Sequence, residues 1–141
     1  GSKKILGIEA NRNALEKAII SEIVMHDLRN PIMIAEQYEL VSCLEVAEHL
    51  HKKYSKILVN TLVRLCTFNG YIIFTAAPPG QEGVHHINLQ PKDYWINLFG
   101  EENFKFSDHY TKLIKKKLAF KHIWWIKKNL MVFTNKINKQ I

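Results

Sequence analysis

Apolar residues recur along this chain with two alternating spacings. Short apolar runs typical of strands occupy residues 4–10, 22–28, 38–44 and 71–77, with another inside 123–133. Apolar side chains three or four positions apart, the spacing of an amphipathic helix, occupy residues 11–20, 46–68, 91–100 and 111–120. Strands that alternate with helices predict an α/β fold: a Rossmann-like, mostly parallel sheet with helices on both faces.

Several aromatic residues can be assigned from the same pattern. Tyr94 and Trp95 fall on the amphipathic segment 91–100, which favours core packing over the lining of a pocket. Trp124 and Trp125 fall on the last apolar run, where we expect a strand with the two indoles on opposite faces.

Acidic residues stand where the first three predicted strands end. Glu9, Asp27 and Glu45 close these strands, and a Pro- and Gly-rich segment, 78–91, follows the fourth. Ligands of parallel sheets gather at the carboxyl ends of the strands, and long loops in compact domains are usually functional. We therefore expect the three acids and this loop to surround one site.

The turn LEVAEHL, residues 44–50, concentrates titratable groups. Glu45, Glu48 and His49 follow one another at spacings of three and four positions. In a helix this spacing brings side chains to one side, so the three groups would converge on one point. Acids in a first helical turn also complement the helix dipole without any ligand, and that alternative stays open.

Composition limits the class of protein. A chain of 141 residues with 47% hydrophobic content suits one domain, 1–141, in which Gly1 and Ser2 resemble a cloning remnant. Cys43 and Cys66 lie in stretches of buried type, which argues against a disulfide and favours the reducing cytoplasm. No apolar run approaches the roughly 20 residues of a membrane-spanning helix.

Positive charge is concentrated at the carboxyl-terminal end. The formal net charge is +7, and residues 105–141 contain ten lysines against one acid, Asp108. Such a surface can attract nucleic acid or an anionic membrane surface. Lysine without accompanying arginine or stacking aromatics is more typical of a solvated face, so RNA binding is an alternative and not the leading interpretation.

Five segments in this order resemble class I S-adenosylmethionine-dependent methyltransferases of the small-molecule and ubiquinone-biosynthesis type. They are GIEAN, HDL, YELVSCLEVAEHL, GYIIFTAAPPGQEGVHHINLQPKDYW and NLMVF, and the resemblance covers nearly all of residues 4–133. It implies a methyltransferase, or a fragment of one, that acts on a small molecule or a nucleic-acid end. Two alternatives stay open: a non-catalytic Rossmann-like module that binds another chain or RNA, and an S-adenosylmethionine-consuming enzyme of another reaction type.

The resemblance also implies a cofactor site. The acid after the second strand of the family holds the ribose, a role that falls to Glu9, and the Asp-Leu pair after the third strand contacts adenine, a role for Asp27 and Leu28. Leu44, Glu45 and Val46 would border the methionine sulfonium and the acceptor. His86, whose imidazole can take up a proton near neutral pH, would act with Glu45 in catalysis.

A divalent metal is implied by one branch of the family, the small-RNA 3′-end 2′-O-methyltransferases. There a Glu-x-x-Glu-His turn and a later histidine bind the ion. The matching set in this chain is Glu45, Glu48, His49 and His86, with His85 as the alternative to His86. Two carboxylates and two imidazoles would suit Mg²⁺, Mn²⁺ or Zn²⁺. For the catalytic role of His86, a loop histidine that is only hydrogen-bonded to backbone stays open as an alternative.

One part of the family pattern is absent. The family opens with a strand and a glycine-rich turn, whereas this sequence contains no Gly-x-Gly and starts at what resembles the second strand. We therefore expect an α/β fold truncated at its amino terminus, in which the neighbours of the absent central strand lack pairing partners. Three explanations are open: a fragment of a longer enzyme, a sheet that closes up or takes the strand from another copy in a homo-oligomer, and a natural truncated form that has lost catalysis.

Overall fold

Strands and helices alternate along the computed structural model, which describes residues 4–119 and 122–136. The strands are β1 Gly7–Glu9, β2 Ile23–Met25, β3 Tyr38–Leu44, β4 Cys66–Thr75, β5 Lys105–Phe106 and β6 Met131–Thr134. The helices are α1 Arg12–Leu15, α2 Ser55–Leu65, α3 Lys92–Glu101, α4 Asp108–Lys117 and α5 Trp124–Asn129. Gly1 and Ser2, and Lys121 and Lys139 of the lysine-rich end, lie outside the described residues.

The strands form two sheets. β1 and β2 pair in parallel, with Gly7 opposite Ile23 and Glu9 opposite Met25. The second sheet has the order β3-β4-β6-β5, in which β3 and β4 are parallel and β6 is antiparallel to both of its neighbours. The predicted α/β fold with a mostly parallel, Rossmann-like sheet is confirmed. Among the described strands, β1 and β3 do not pair with each other.

An aromatic cluster forms the core between β4, α3 and β6. Phe74 of β4 lies 5.0 Å from the ring of Trp95 and 5.4 Å from that of Phe99, and Phe99 stacks on Phe133 at 4.0 Å. All four side chains are fully buried or nearly so. The core position expected for Trp95 is confirmed, and so is a helix that follows Pro91. None of the helices in the described ranges is long and apolar enough to cross a membrane.

The long helix predicted for 46–68 is wrong at both ends. Two 3-10 turns, Ala47–His49 and Lys52–Tyr54, precede α2, and Leu50 and His51 between them have non-helical backbone. At the other end Cys66 pairs with Tyr38 and belongs to β4, so pairing with β3 prevails over the local helical spacing. Cys66 and Cys43 are both buried and free, as expected.

Two further predictions are corrected. Trp124 and Trp125 begin helix α5 and do not lie on the last strand, which is confined to four buried residues that pair with β4. The helix expected at 11–20 is a single turn, capped by the side chain of Asn11, after which the chain bends back so that Ile23 pairs with Gly7.

The centre of the core supplies a test of this packing. We predict that Phe74→Ala lowers the free energy of unfolding by about 3 to 5 kcal/mol, because the cavity left beside three aromatic rings cannot close. The matched control is Phe68→Ala, since Phe68 lies on the same strand and is 68% exposed; it should change the free energy by less than about 0.5 kcal/mol. Urea unfolding measures both, and equal losses would contradict the assigned core.

Candidate functional site

Glu9 and Asp27 lie at the same end of neighbouring parallel strands. Glu9 is the last residue of β1, and its carbonyl accepts the N–H of His26, the residue before Asp27, at 3.0 Å. The side chain of Leu28 is half-buried against the core. The structure thus places Glu9, predicted to hold the ribose, and Asp27 and Leu28, predicted to contact the adenine, at or just after the same end of two neighbouring strands.

Both carboxylates are held by local contacts. Oε1 of Glu9 accepts the backbone N–H groups of Ala10 and Asn11, each at 2.8 Å. Asp27 accepts three contacts from the guanidinium of Arg29, from Nε to both carboxylate oxygens and from Nη2 to Oδ2, and one from its backbone N–H. The Arg29 side chain, and next its N–H, lower the pKa of Asp27 below its ordinary value. Asp27 is therefore ionised at neutral pH, and a ligand amine would share it with Arg29.

The chain turns sharply after β3. Glu45 has a left-handed backbone with φ of 54°, and its N–H donates to Oγ1 of buried Thr75 at 2.9 Å. A left-handed residue other than glycine costs on the order of 1 kcal/mol, and such residues concentrate at functional sites. Leu44, just before the turn, is 41% exposed. The 3-10 turn that follows replaces the helical turn expected from the spacing of Glu45, Glu48 and His49.

Glu48 connects three separate segments although its side chain is fully buried. Its Oε1 accepts the N–H of Ala77, just after β4, at 3.2 Å. Its backbone carbonyl accepts the N–H groups of Ile87 and Asn88 in the 78–91 loop, at 2.9 and 3.0 Å. Oε2 is buried with no hydrogen-bond partner among the described residues, as is Oε1 of Glu45.

The environment of Glu48 disfavours its negative charge. Burial raises the pKa of Glu48 above its ordinary value, and the nearby carboxylate of Glu45 raises it further, while N–H donors, including that of Ala77, act in the opposite direction. A carboxylate with an unsatisfied oxygen next to a second carboxylate is an arrangement that a cation would stabilise.

His49 and His86 complete this cluster. Their rings meet edge to face with centroids 5.1 Å apart. Nδ1 of His49 contacts the carbonyl of His85 at 3.2 Å, and Nδ1 of His86 contacts the carbonyl of Gln81 at 3.4 Å. Because a carbonyl only accepts hydrogen bonds, we assign the proton to Nδ1 in both rings, which leaves Nε2 for a ligand. Metal-binding histidines are commonly oriented in this way.

The structure therefore brings together part of the predicted metal set. One ligand atom each from Glu48, His49 and His86 lie within 4.8 Å of one another. Glu45 is outside this three-residue group. Its carboxylate affects the group by raising the pKa of Glu48. His85 is exposed, has a left-handed backbone and contributes only its carbonyl, so His86 is the loop histidine of the cluster.

Two residues that support the cluster were not identified as supports from the sequence. Asn88 is buried, and its amide donates to the carbonyl of Ala47 and to Oγ of Ser55, so it fastens the loop to the turn. Gly83 leaves space for the ring of His86, because a Cβ at this position would lie 2.1 Å from Cε1. The glycine-rich character of the loop was the one sequence signal for the role of Gly83, and no local pattern indicated the role of Asn88.

The buried acid gives a pH-dependent prediction. Because its pKa is raised, Glu48 binds a proton more tightly in the folded than in the unfolded protein, so stability falls as pH rises from about 4.3, the unfolded value, through the folded pKa. In chelator, Glu48→Gln should raise the melting temperature at pH 8, by about 3 °C for each kcal/mol of removed penalty.

The gain from Glu48→Gln should disappear below about pH 4, where Glu48 is protonated in both states. Thermal unfolding followed by circular dichroism between pH 4 and 8 measures the difference. A variant that is less stable than the wild type by the same amount at every pH would show that the ionised carboxylate carries no penalty.

No family model matches this sequence, and no curated protein matches it. Solved structures do match the fold. BH2331, a candidate methyltransferase from Bacillus halodurans C-125, has a TM-score of 0.64 at 12% identity, over 96% of this chain and 84% of that protein. The N-methyltransferase NodS from Bradyrhizobium japonicum WM9 has a TM-score of 0.63 at 14% identity, over 93% and 71% of the two chains.

LepI, solved in complex with S-adenosylmethionine, has a TM-score of 0.63 at 10% identity. The match covers 96% of this chain but only 37% of LepI. At sequence identities this low, the similarity shows a shared fold and does not show a shared activity. The chain has the Rossmann-like fold of class I methyltransferases.

Proposed function

We propose that this chain is an S-adenosylmethionine-dependent methyltransferase domain, or part of one, that acts on a small molecule or a nucleic-acid end. The supporting observations are that Glu9 and Asp27 lie at the carboxyl ends of two paired parallel strands, and that Glu48 and His49, which cluster with His86, follow the carboxyl end of β3, which is parallel to β4. Ligands of such sheets bind outside the carboxyl ends of the strands. LepI, a protein of the same fold, was solved with S-adenosylmethionine bound.

Different strand-end residues would contact different parts of the cofactor. The Glu9 carboxylate would accept hydrogen bonds from the ribose hydroxyls, and Asp27 with Leu28 would contact the adenine. Leu44 would border the methionine part. The bound cofactor supplies a methyl group on a sulfonium, and the protein has to align the acceptor with it.

His86 and Glu45 would act on the acceptor. Transfer to a hydroxyl requires removal of its proton, and an imidazole can accept a proton near neutral pH. His86 is half-buried and held through Nδ1, so Nε2 would be the atom that takes the proton. Glu45, at the strained turn after β3, would orient the acceptor.

A divalent cation at Glu48, His49 and His86 is part of the proposal. Oε2 of Glu48 is buried without a hydrogen-bond partner among the described residues, and a ligand atom from each of the three residues fits within 4.8 Å. One carboxylate and two imidazoles suit Mn²⁺ or Zn²⁺ better than Mg²⁺, which prefers oxygen ligands. The ion would hold acceptor oxygens beside His86. Because the same atom, Nε2, would bind the ion or take the proton, His86 would serve either as a ligand or as the base.

The cofactor proposal predicts binding. Isothermal titration of the chain with S-adenosylmethionine and with S-adenosylhomocysteine should give a saturable signal, and Asp27→Asn should weaken it about tenfold or more, because a charge-assisted hydrogen bond is lost. The control is Asp93→Asn, since Asp93 is exposed in the first turn of α3. Folded wild-type protein that binds neither compound would contradict the proposal.

The metal proposal predicts a separate result. Titration with MnCl₂, followed by the water-proton relaxation rate, should reveal one tight site, and His49→Ala and His86→Ala should each weaken it more than tenfold because a ligand is lost. His109→Ala is the matched control, because this exposed histidine lies on α4 and outside the cluster. Equal binding by all four proteins would remove the cluster as the metal site.

A further inference from the structure

The loop 78–91 begins with a tight turn. The backbone N–H of Gln81 donates to the carbonyl of Pro78 at 3.1 Å, and Gly80 between them has φ of 84°. A proline in the second position and a glycine with positive φ in the third, here Pro79 and Gly80, are typical of a type II turn. The turn therefore gives the backbone of Gln81 a defined orientation after β4.

Gln81 connects the candidate site to the carboxyl-terminal part of the fold. Its backbone carbonyl accepts a hydrogen bond from Nδ1 of His86 at 3.4 Å. Its side-chain Oε1 accepts the amide N–H of Asn129, 48 residues away in sequence, at 2.9 Å. Both amide side chains are half-buried. Two successive hydrogen bonds thus lead from Asn129 through Gln81 to His86.

Asn129 occupies a well-supported position. It is the last residue of α5, and β6 begins two residues later at Met131. All four residues of β6 are buried, and the strand pairs with β4 and β5. The loop that carries His86 has less support of its own, because residues 82–85 and Ile87 are exposed. The contact with Asn129 therefore holds the loop at a point that the loop itself does not fix.

We propose that Gln81 and Asn129 are positioning residues for His86. Their amide bond holds the carbonyl of Gln81 in place, and this carbonyl keeps the proton of His86 on Nδ1. Since the hydrogen bond of one ring nitrogen sets the state of the other, Nε2 stays unprotonated and available to a cation or to a proton of the acceptor. The inference rests on the proposed role of His86 and deepens it. Both amides act through His86, and neither is a ligand.

The competing explanation is purely structural. In that case the bond between Gln81 and Asn129 only fastens the loop to α5, and its loss would lower the melting temperature without a change at His86. The two explanations differ in the position of one proton. The tautomer of His86 in the metal-free protein therefore separates them, and its measurement does not require cofactor, metal or acceptor to bind.

Nitrogen-15 NMR of the imidazole rings reports this proton directly at about pH 8, where histidine is mostly neutral. The signals of His86 are those missing from His86→Ala, and we expect the proton on Nδ1 in the wild type. In Gln81→Met and in Asn129→Leu, which keep the approximate size but remove one amide, a large share of the proton should move to Nε2. Gln81→Glu should keep the wild-type signals, because a carboxylate still accepts the amide of Asn129.

A matched control comes from the same loop. Gln90 is also half-buried, but its amide donates to a different partner, Oδ1 of Asn88. Gln90→Met should therefore leave the tautomer of His86 unchanged. The double variant with Gln81→Met and Asn129→Leu should shift the tautomer no further than either single variant, since each change removes the same bond.

Manganese titration gives a second readout. Gln81→Met and Asn129→Leu should each weaken Mn²⁺ binding about tenfold, the usual effect of removing a group that orients a metal ligand, and Gln81→Glu should not. If the wild type binds no Mn²⁺ although the tautomer responds as expected, the proposed cation site fails and the positioning role stands.

Three results would overturn the positioning role. The first is a wild-type His86 with its proton on Nε2. The second is a tautomer that stays the same in Gln81→Met and Asn129→Leu while their melting temperatures fall. The third is an equal shift of the tautomer in Gln90→Met, which would mean that any loosening of the loop has this effect.

Discussion

The candidate site depends on one buried carboxylate. Glu48 is inaccessible to solvent, yet its side chain and backbone hold together the turn after β3, the residue after β4 and the loop that carries His86. Burying a carboxylate with one oxygen unsatisfied is unfavourable, and the neighbouring Glu45 adds repulsion. An arrangement that lowers the stability of the protein without a ligand is typical of a binding site. The ligand of this site would carry positive charge.

The two halves of the site are organised differently. On the proposed cofactor side, Glu9 and Asp27 are oriented by partners one or two residues away, and exposed ion pairs such as Asp27 with Arg29 add little to stability. On the proposed acceptor side, the contacts join residues that are distant in sequence, such as the backbone bonds from Ile87 and Asn88 to Glu48. The carboxylates of the cofactor side are therefore oriented by local contacts once β1 and β2 have paired, whereas the acceptor side also requires contacts between the loop 78–91 and the turn after β3.

Sequence reasoning succeeded where a single local rule decides the structure. The bounds of β3 follow from its apolar run, and α3 follows from the proline before it. The shared position of Glu9 and Asp27 follows from the geometry of parallel strands. The long helix failed because helical spacing does not reveal that Cys66 pairs with Tyr38. The roles of Asn88 and Gly83 depend on tertiary contacts within the loop cluster, which no local pattern encodes.

Glu48, His49 and His86 are proposed to form one cation site that follows the carboxyl end of β3. Pulsed electron paramagnetic resonance of the Mn²⁺-loaded protein tests this site, because the spectrum reports the nitrogen atoms bound to the ion. We expect ¹⁴N couplings from two imidazoles in the wild type and from one in His86→Ala. Bound Mn²⁺ with only oxygen ligands would contradict the proposed site.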